Sequence, residues 1–238
     1  MLLTKISEAV TALGNGNFVL IHDDGNRENE IDMVVSAENI LPRHISVMRK
    51  DAGGLICTAI SKEISLKLGL PYMYDILKIF GTSNRSISLI NKDTSPYGDK
   101  PSFSITLNHV NTYTGITDYD RALTISSLAK ICKELQSELD DNKAMMVEEF
   151  QNNFRTPGHV PILIASKGLL NERKGHTEMS ILLTKIANIT NVTTICEMLD
   201  PNNYKALSYA DACKYAKENN IVMLDSKDLI AYAKNVNI

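Results

Sequence analysis

Five carboxylates and one arginine crowd the stretch from Asp23 to Asp32: Asp23, Asp24, Arg27, Glu28, Glu30 and Asp32. Like charges this close repel by about a kcal/mol or more unless a cation intervenes. Mg²⁺ prefers carboxylate oxygens and shares them with substrate oxygens, so the stretch suits a hard divalent cation. A solvated acidic loop is the other reading that composition leaves open. A second group is Arg173, Lys174, Gly175, His176 and Thr177, just before a strongly helical pattern. Backbone N–H groups at a helix start, with two cations beside them, suit a phosphate. Alternatively, Thr177 only caps that helix and the cations are solvated. His176 is neutral enough at pH 7 to ligate a metal, or it is a hydrogen-bonded structural histidine.

Three further side chains join these. His159 follows Pro157 and Gly158 in what reads as a turn before a strand, where it either transfers protons or caps the turn. Glu197 sits in the apolar run Thr194–Met198. Burying a bare carboxylate costs several kcal/mol, so it is paired, metal-bound or protonated, or it ends the strand in solvent. Cys57 lies in the apolar run Leu55–Ile60, either as a core thiol or as an active-site one. Acids for a divalent cation, a cationic helix start and two histidines together point to Mg²⁺-assisted chemistry on a small phosphorylated substrate.

The elements that would position these groups are legible in outline. Phe18–Ile21 and Met33–Val35 are apolar runs on either side of the acidic stretch and read as two buried strands joined by a loop. Leu3, Ile6, Val10 and Leu13 fall at helical spacing over 3–14, with Gly14 and Gly16 as a stop. Pro42 starts a helix to about Asp51, broken by Gly53 and Gly54, and Ser61 caps another that ends at Gly69. Residues 81–101 read as a long irregular excursion, either a lid or a simple insertion. Phe103–His109 alternates as a half-buried strand whose polar face (Ser104, Thr106, Asn108) looks into a site or into water. Thr117 caps a helix reaching about Leu135, and a polar segment fills 136–153. After it come a strand over Val160–Ala165, a helix over Thr177–Ile189 and a strand over Val192–Met198. Helix 207–219, strand Ile221–Leu224 and a helix from Ser226 follow. This alternation predicts an α/β fold, a mixed sheet flanked by helices, in one compact domain over residues 1–238.

Composition narrows the class further. A chain of 238 residues, 44% hydrophobic and 22% charged, is large enough for a substantial core. Its net charge of −3 offers no general attraction to nucleic acid or to an anionic membrane. No stretch reaches the roughly 18 apolar residues of a membrane span. Met1–Glu8 acquires an acid early and lacks an apolar run, so it does not read as a secretory signal. Cys57, Cys132, Cys196 and Cys213 are far apart, which argues against a zinc ribbon or disulfide framework and fits a reducing cytoplasm.

At these residues the chain resembles the 3,4-dihydroxy-2-butanone 4-phosphate synthase family of riboflavin biosynthesis. The matching segments are Asp23–Met33, Met48–Cys57, Phe103–Thr106, Thr114–Ala122, Arg155–His159, Arg173–Glu178 and Thr194–Glu197. Met48–Cys57 is most similar to the stand-alone archaeal members, and the length leaves no room for the cyclohydrolase domain fused in some bacterial ones. Ile31 departs from the Gly of many bacterial members, at a position with no assigned role. The resemblance implies a lyase that converts D-ribulose 5-phosphate to L-3,4-dihydroxy-2-butanone 4-phosphate and formate. It implies Mg²⁺, with Mn²⁺ able to substitute, and no organic cofactor. Carried over by position, Arg27, Glu28, Asp32, Arg173, Lys174, Gly175, His176, Thr177 and Glu197 bind substrate, and Glu28 and His176 also bind the metal. His159 and Glu197 are required for catalysis. Asp32 or Glu30 is expected to handle the first proton and Glu197 a later one, and Cys57 matches a family cysteine near the site. Members are homodimers with sites at the subunit interface. Shared sites predict that coexpressed Glu28→Gln and His176→Ala subunits recover activity. Two rivals are another Mg²⁺-dependent phosphosugar enzyme, which would release no formate, and a silent phospho-ligand binding protein.

Overall fold

The computed structural model describes residues 2–91, 95–137 and 143–236. Helix α1 (Leu2–Gly14) buries Ile6, Ala9 and Leu13, while Leu3, expected on the same face, stays exposed. Strands β1 (Val19–His22) and β2 (Ile31–Ser36) then form an antiparallel hairpin with Ile21 opposite Asp32. The acidic stretch is its connection. Pro42 opens α2 (Pro42–Val47), which continues as a π-helical turn over Met48–Ala52 and stops at Gly53, where φ is +88°. Only glycine adopts that backbone without strain. Strand β3 (Cys57–Ile60) begins two residues later than its apolar run, leaving Leu55 exposed. Ser61 caps α3 (Lys62–Leu68) by accepting from Ile64 N at 3.3 Å.

Regular structure replaces much of the expected irregularity that follows. Helix α4 (Met73–Gly81) leads up to the excursion and α5 (Arg85–Ile90) lies within its first half, where Asn84 caps α5 through Ile87 N. Leu89 and Ile90 remain exposed, so α5 has no buried face to give it a helical period. The rest of the excursion includes 92–94, outside the described residues. Strand β4 (Phe103–His109) forms as expected, and its polar face turns inward: Ser104 and Asn108 are buried. Thr117 caps α6 (Asp118–Gln136), accepting from Asp120 N at 3.0 Å. The polar segment that follows holds α7 (Lys143–Asn153), which buries Met146 and Phe150 alone of its residues; 138–142 lie outside the described residues.

Strand β5 (Phe154–Ile164) absorbs the expected turn. Its register against β4 jumps from Leu107↔Val160 to Asn108↔Arg155, so Pro157, Gly158 and His159 bulge out of a continuous strand. A side chain at Gly158 would meet the Leu107–Asn108 backbone, which is why glycine stands there. Next come α8 (His176–Ala187), β6 (Val192–Glu197), the short hairpin β7 (Leu199–Asp200) and β8 (Lys205–Ala206), α9 (Tyr209–Glu218), β9 (Val222–Asp225) and α10 (Ser226–Val236). The cap of α8 is Gly175, two residues before the expected Thr177.

Among the described residues the main sheet has seven strands in the order β4-β5-β3-β6-β2-β1-β9, with β1–β9 and β3–β5 parallel and the other neighbours antiparallel. Alternate residues feed two cores. Val19, Ile21 and Val34 face α1, α8 and α10, whereas Leu20, Met33 and Val35 face α2, α6 and their neighbours. The result is the expected mixed α/β sheet with helices on both faces.

Candidate active site

The hairpin connection is built on Asp23, which is buried. Its Oδ1 accepts from Glu30 N at 2.9 Å, and its Oδ2 from Glu28 N at 3.0 Å and Arg27 Nη1 at 3.1 Å. This acid therefore shapes the loop. Asp24 is exposed and closes a local turn onto Asn26 N. Asn29, at φ +56°, is held by the His22 ring at 3.2 Å, and that ring also meets Asp225 of β9 at 3.2 Å. Glu28 and Asp32 are thereby held on one side of the loop.

Two other elements complete the arrangement. Antiparallel pairing of β2 with β6 sets Glu197 directly opposite Asp32. The start of α8 brings His176 Nδ1 to 3.4 Å from Glu28 Oε2 and 3.7 Å from Asp32 Oδ1. A cavity of about 220 Å³ is lined by Glu28, Asp32, Cys57, Arg173, His176, Thr177 and Glu197, together with Tyr97, Ser102 and apolar neighbours. A larger groove of about 750 Å³, lined by Arg49, Asp51, Leu199, Tyr204, Asp211 and Tyr215 among others, lies elsewhere. The smaller cavity is the candidate site, because Asp32 Oδ1 and His176 Nε2 are buried there without hydrogen-bond partners. None of the unpartnered buried polar atoms among the described residues borders the larger groove.

Electrostatics sorts the acids. Burial would raise Glu28, but hydrogen bonds from His176 and Tyr97 and the charge of Arg27 bring it down to about 2. Burial pushes Asp32 up to about 7, helped by Glu197, Glu28 and Glu30 and opposed by His176. Burial would lower His176, yet Asp32, Glu28 and Asp23 lift it to about 9. Glu30 is raised by burial and by Glu28 and Glu197. Asp23, Glu28 and His176 bring ligand atoms within 4.8 Å of one another. Oxygen donors with one imidazole and unpartnered buried atoms fit a divalent cation, although Asp23 already has three partners.

Several candidate residues stand apart from the cavity wall. Glu30 is half-buried beside it, and Lys174 is exposed. Cys57 does line it, but burial, then Glu197 and Asp32, push its thiol well above the usual range. A thiol held neutral in this way is a poor nucleophile. Glu197 Oε2 accepts from Leu55 N at 2.8 Å, which leaves its other oxygen for the cavity. His159 is exposed on β5, with β3 between it and the strand of Glu197. Asn108 Oδ1 accepts from His159 N at 2.8 Å, so its Nδ2 meets the ring Nδ1 at 3.1 Å. Both ends of the Asn108 amide thus hold the ring through its Nδ1, which leaves Nε2 free of that contact.

Sequence reasoning missed several supports. Arg173 Nη1 forms a 2.6 Å ion pair with Glu178, whose side chain is fully buried. Glu178 stands inside a motif already singled out, so an acid in the first turn of an apolar helix beside two cations was a usable signal. Ser102 and Thr177 hydroxyls meet at 3.3 Å in the cavity wall. Tyr97 and Asp99 also reach the site, from a stretch with no periodicity to announce them.

A family model for 3,4-dihydroxy-2-butanone 4-phosphate synthase matches residues 7–232. A protein of that name from Methanothermobacter thermautotrophicus is 46% identical over 96% of this chain and 96% of its own length. Another, from Archaeoglobus fulgidus, is 38% identical over 97% of this chain and 94% of its own. The fold is similar to a solved 3,4-dihydroxy-2-butanone 4-phosphate synthase in complex with two magnesium ions, at 26% identity and a TM-score of 0.76, covering 98% of this chain and 97% of that one.

Proposed function

The chain belongs to the 3,4-dihydroxy-2-butanone 4-phosphate synthase family, and we propose from that premise that it is the lyase converting D-ribulose 5-phosphate to L-3,4-dihydroxy-2-butanone 4-phosphate and formate for riboflavin biosynthesis. The observation that carries this reading is the meeting of Glu28, Asp32, His176 and Glu197 on one cavity beside Arg173. Glu28 and His176 hold a divalent cation, Mg²⁺ or the similarly hard Mn²⁺. When bound, it supplies positive charge against the negative charge that develops on adjacent sugar oxygens during enolisation. Substrate and products balance in atoms and electrons, so the reaction calls for no organic redox cofactor.

The chain's own groups divide the remaining work. Arg27 and the Arg173–Thr177 segment hold the phosphorylated substrate. Asp32, raised to about 7, is matched to taking the first proton near neutral pH, with Glu30 beside it. Glu197, opposite Asp32, serves a later transfer in dehydration, rearrangement or release of formate.

His159 belongs to this scheme through a second subunit. It is exposed, and Tyr113, Ile116 and Tyr119, on the loop that Asn108 joins to it, are 96%, 50% and 70% exposed. A homodimer that covers this face would bring His159 of the partner subunit to the cavity. Formate detected by NMR after incubation with ribulose 5-phosphate and Mg²⁺, and lost with a chelator, is the expected result. Sugar isomers without formate would favour a different phosphosugar enzyme.

A further inference from the structure

The turn Ser95–Lys100 lies over the junction between the hairpin connection and the start of α8. It is closed by Ser95 N to Asp99 O at 2.8 Å and Gly98 N to Ser95 O at 3.0 Å, with Gly98 at φ +91°. Asp99 Oδ2 accepts from Arg27 Nε at 3.0 Å and stands 3.8 Å from Arg173 Nε. One carboxylate oxygen is thus shared by two arginines that lie 146 positions apart in the chain. Each arginine is held on its other side by acids of its own. Arg27 Nη1 meets Glu28 at 2.7 Å and Asp23 at 3.1 Å, and Arg173 Nη1 meets Glu178 at 2.6 Å. The Tyr97 ring supports the Arg27 guanidinium from 4.8 Å.

What these contacts leave over is informative. Arg27 Nη2 and Arg173 Nε are buried donors without hydrogen-bond partners. A side chain at Gly175 would collide with Arg173 Nη1 and Arg27 Nη2, so both guanidiniums reach the first turn of α8. Each guanidinium is neutralised by its own acid, and among the described residues Asp99 is the acid that pairs with both and so ties their positions to each other. We propose that Asp99 is a positioning residue: it holds Arg27 and Arg173 together so that both meet the substrate's phosphate at the start of α8. The assignment rests on the functional reading above and adds to it a residue from outside the matched motifs.

Charge and positioning predict opposite signs, which makes the assignment testable. Removing a carboxylate near an anion site would, by charge alone, tighten anion binding. If Asp99 positions the arginines, D99N instead weakens it. D99N should raise the KM for ribulose 5-phosphate about tenfold with kcat nearly unchanged, the loss expected when an orienting charged hydrogen bond is removed. Inhibition by inorganic phosphate, and its binding measured by calorimetry, should weaken in parallel. D99E should recover part of both. A D99N protein that binds phosphate as tightly as the wild type, or more tightly, overturns the proposal, as does an unchanged KM. A D99N protein that fails to fold moves the comparison to D99E, whose longer arm should shift KM and phosphate binding together, and parity with the wild type there overturns it too. A wild-type protein that makes no formate fails the functional reading first, and the Asp99 assignment with it.

Discussion

At the level of single residues, the site is a set of charges held out of balance. His176 is raised to about 9 by three carboxylates, yet it must be neutral to ligate a metal. Mg²⁺ binding at pH 8 should therefore release about one proton, a release that fades above pH 9. Calorimetry in buffers of different ionisation enthalpy measures this directly, and an absence of proton release between pH 7 and 9 would contradict the geometry. The same shift has a sign for stability. Because His176 is raised above its ordinary 6.5, its contribution to the metal-free protein is complete below about 6.5 and lost as pH rises through about 9. Asp32, raised from 3.8 to about 7, acts in the same direction over its lower window.

At the level of elements, the start of α8 is the joint on which the two halves of the site meet. Gly175 is its cap, with an ordinary extended backbone at φ −97° and ψ 167°. Alanine can therefore take the backbone, at a cost of about 1 kcal/mol to the helix start. The added carbon would displace both guanidiniums. Gly175→Ala should lower kcat/KM by about 100-fold, the size of effect expected when binding groups shift by an ångström. Steady-state kinetics beside a thermal melt separates that from unfolding, and a folded variant with wild-type kinetics would show that the guanidiniums are not needed there. The β4–β5 bulge has a similar role, since the Pro157–His159 excursion it creates is what exposes the His159 ring.

For the whole molecule, the placement of His159 decides how subunits can complement one another. Glu28 and His176 lie 3.4 Å apart in one chain, so a Glu28→Gln subunit paired with a His176→Ala subunit leaves both sites broken. The informative pair is Glu28→Gln with His159→Ala. In the mixed dimer, one site keeps an intact cavity and an intact His159 supplied across the interface. About a quarter to a half of wild-type activity per dimer is expected for one working site in two. Activity no higher than that of the two parent variants, in heterodimers verified by mass spectrometry, would place His159 in its own subunit's reaction or outside the reaction.

The sequence by itself determined the acidic hairpin connection, the cationic helix start and the strand bearing Glu197, because each is a local pattern of charge against apolar period. Short-range rules also set the caps at Ser61 and Thr117, where one hydroxyl serves one nearby N–H. Helices α5 and α7 escaped notice because they bury too little apolar surface to leave a period. Only the tertiary structure decided that Asp32 stands opposite Glu197, since strand register depends on partners that the chain reaches 165 residues later. The same holds for the division of labour among the acids of the opening stretch. Asp23 became a scaffold and Glu28 and Asp32 the cavity wall through their distances to His176 and Arg27. Those distances follow from how β2, β6 and α8 pack, which no local pattern encodes.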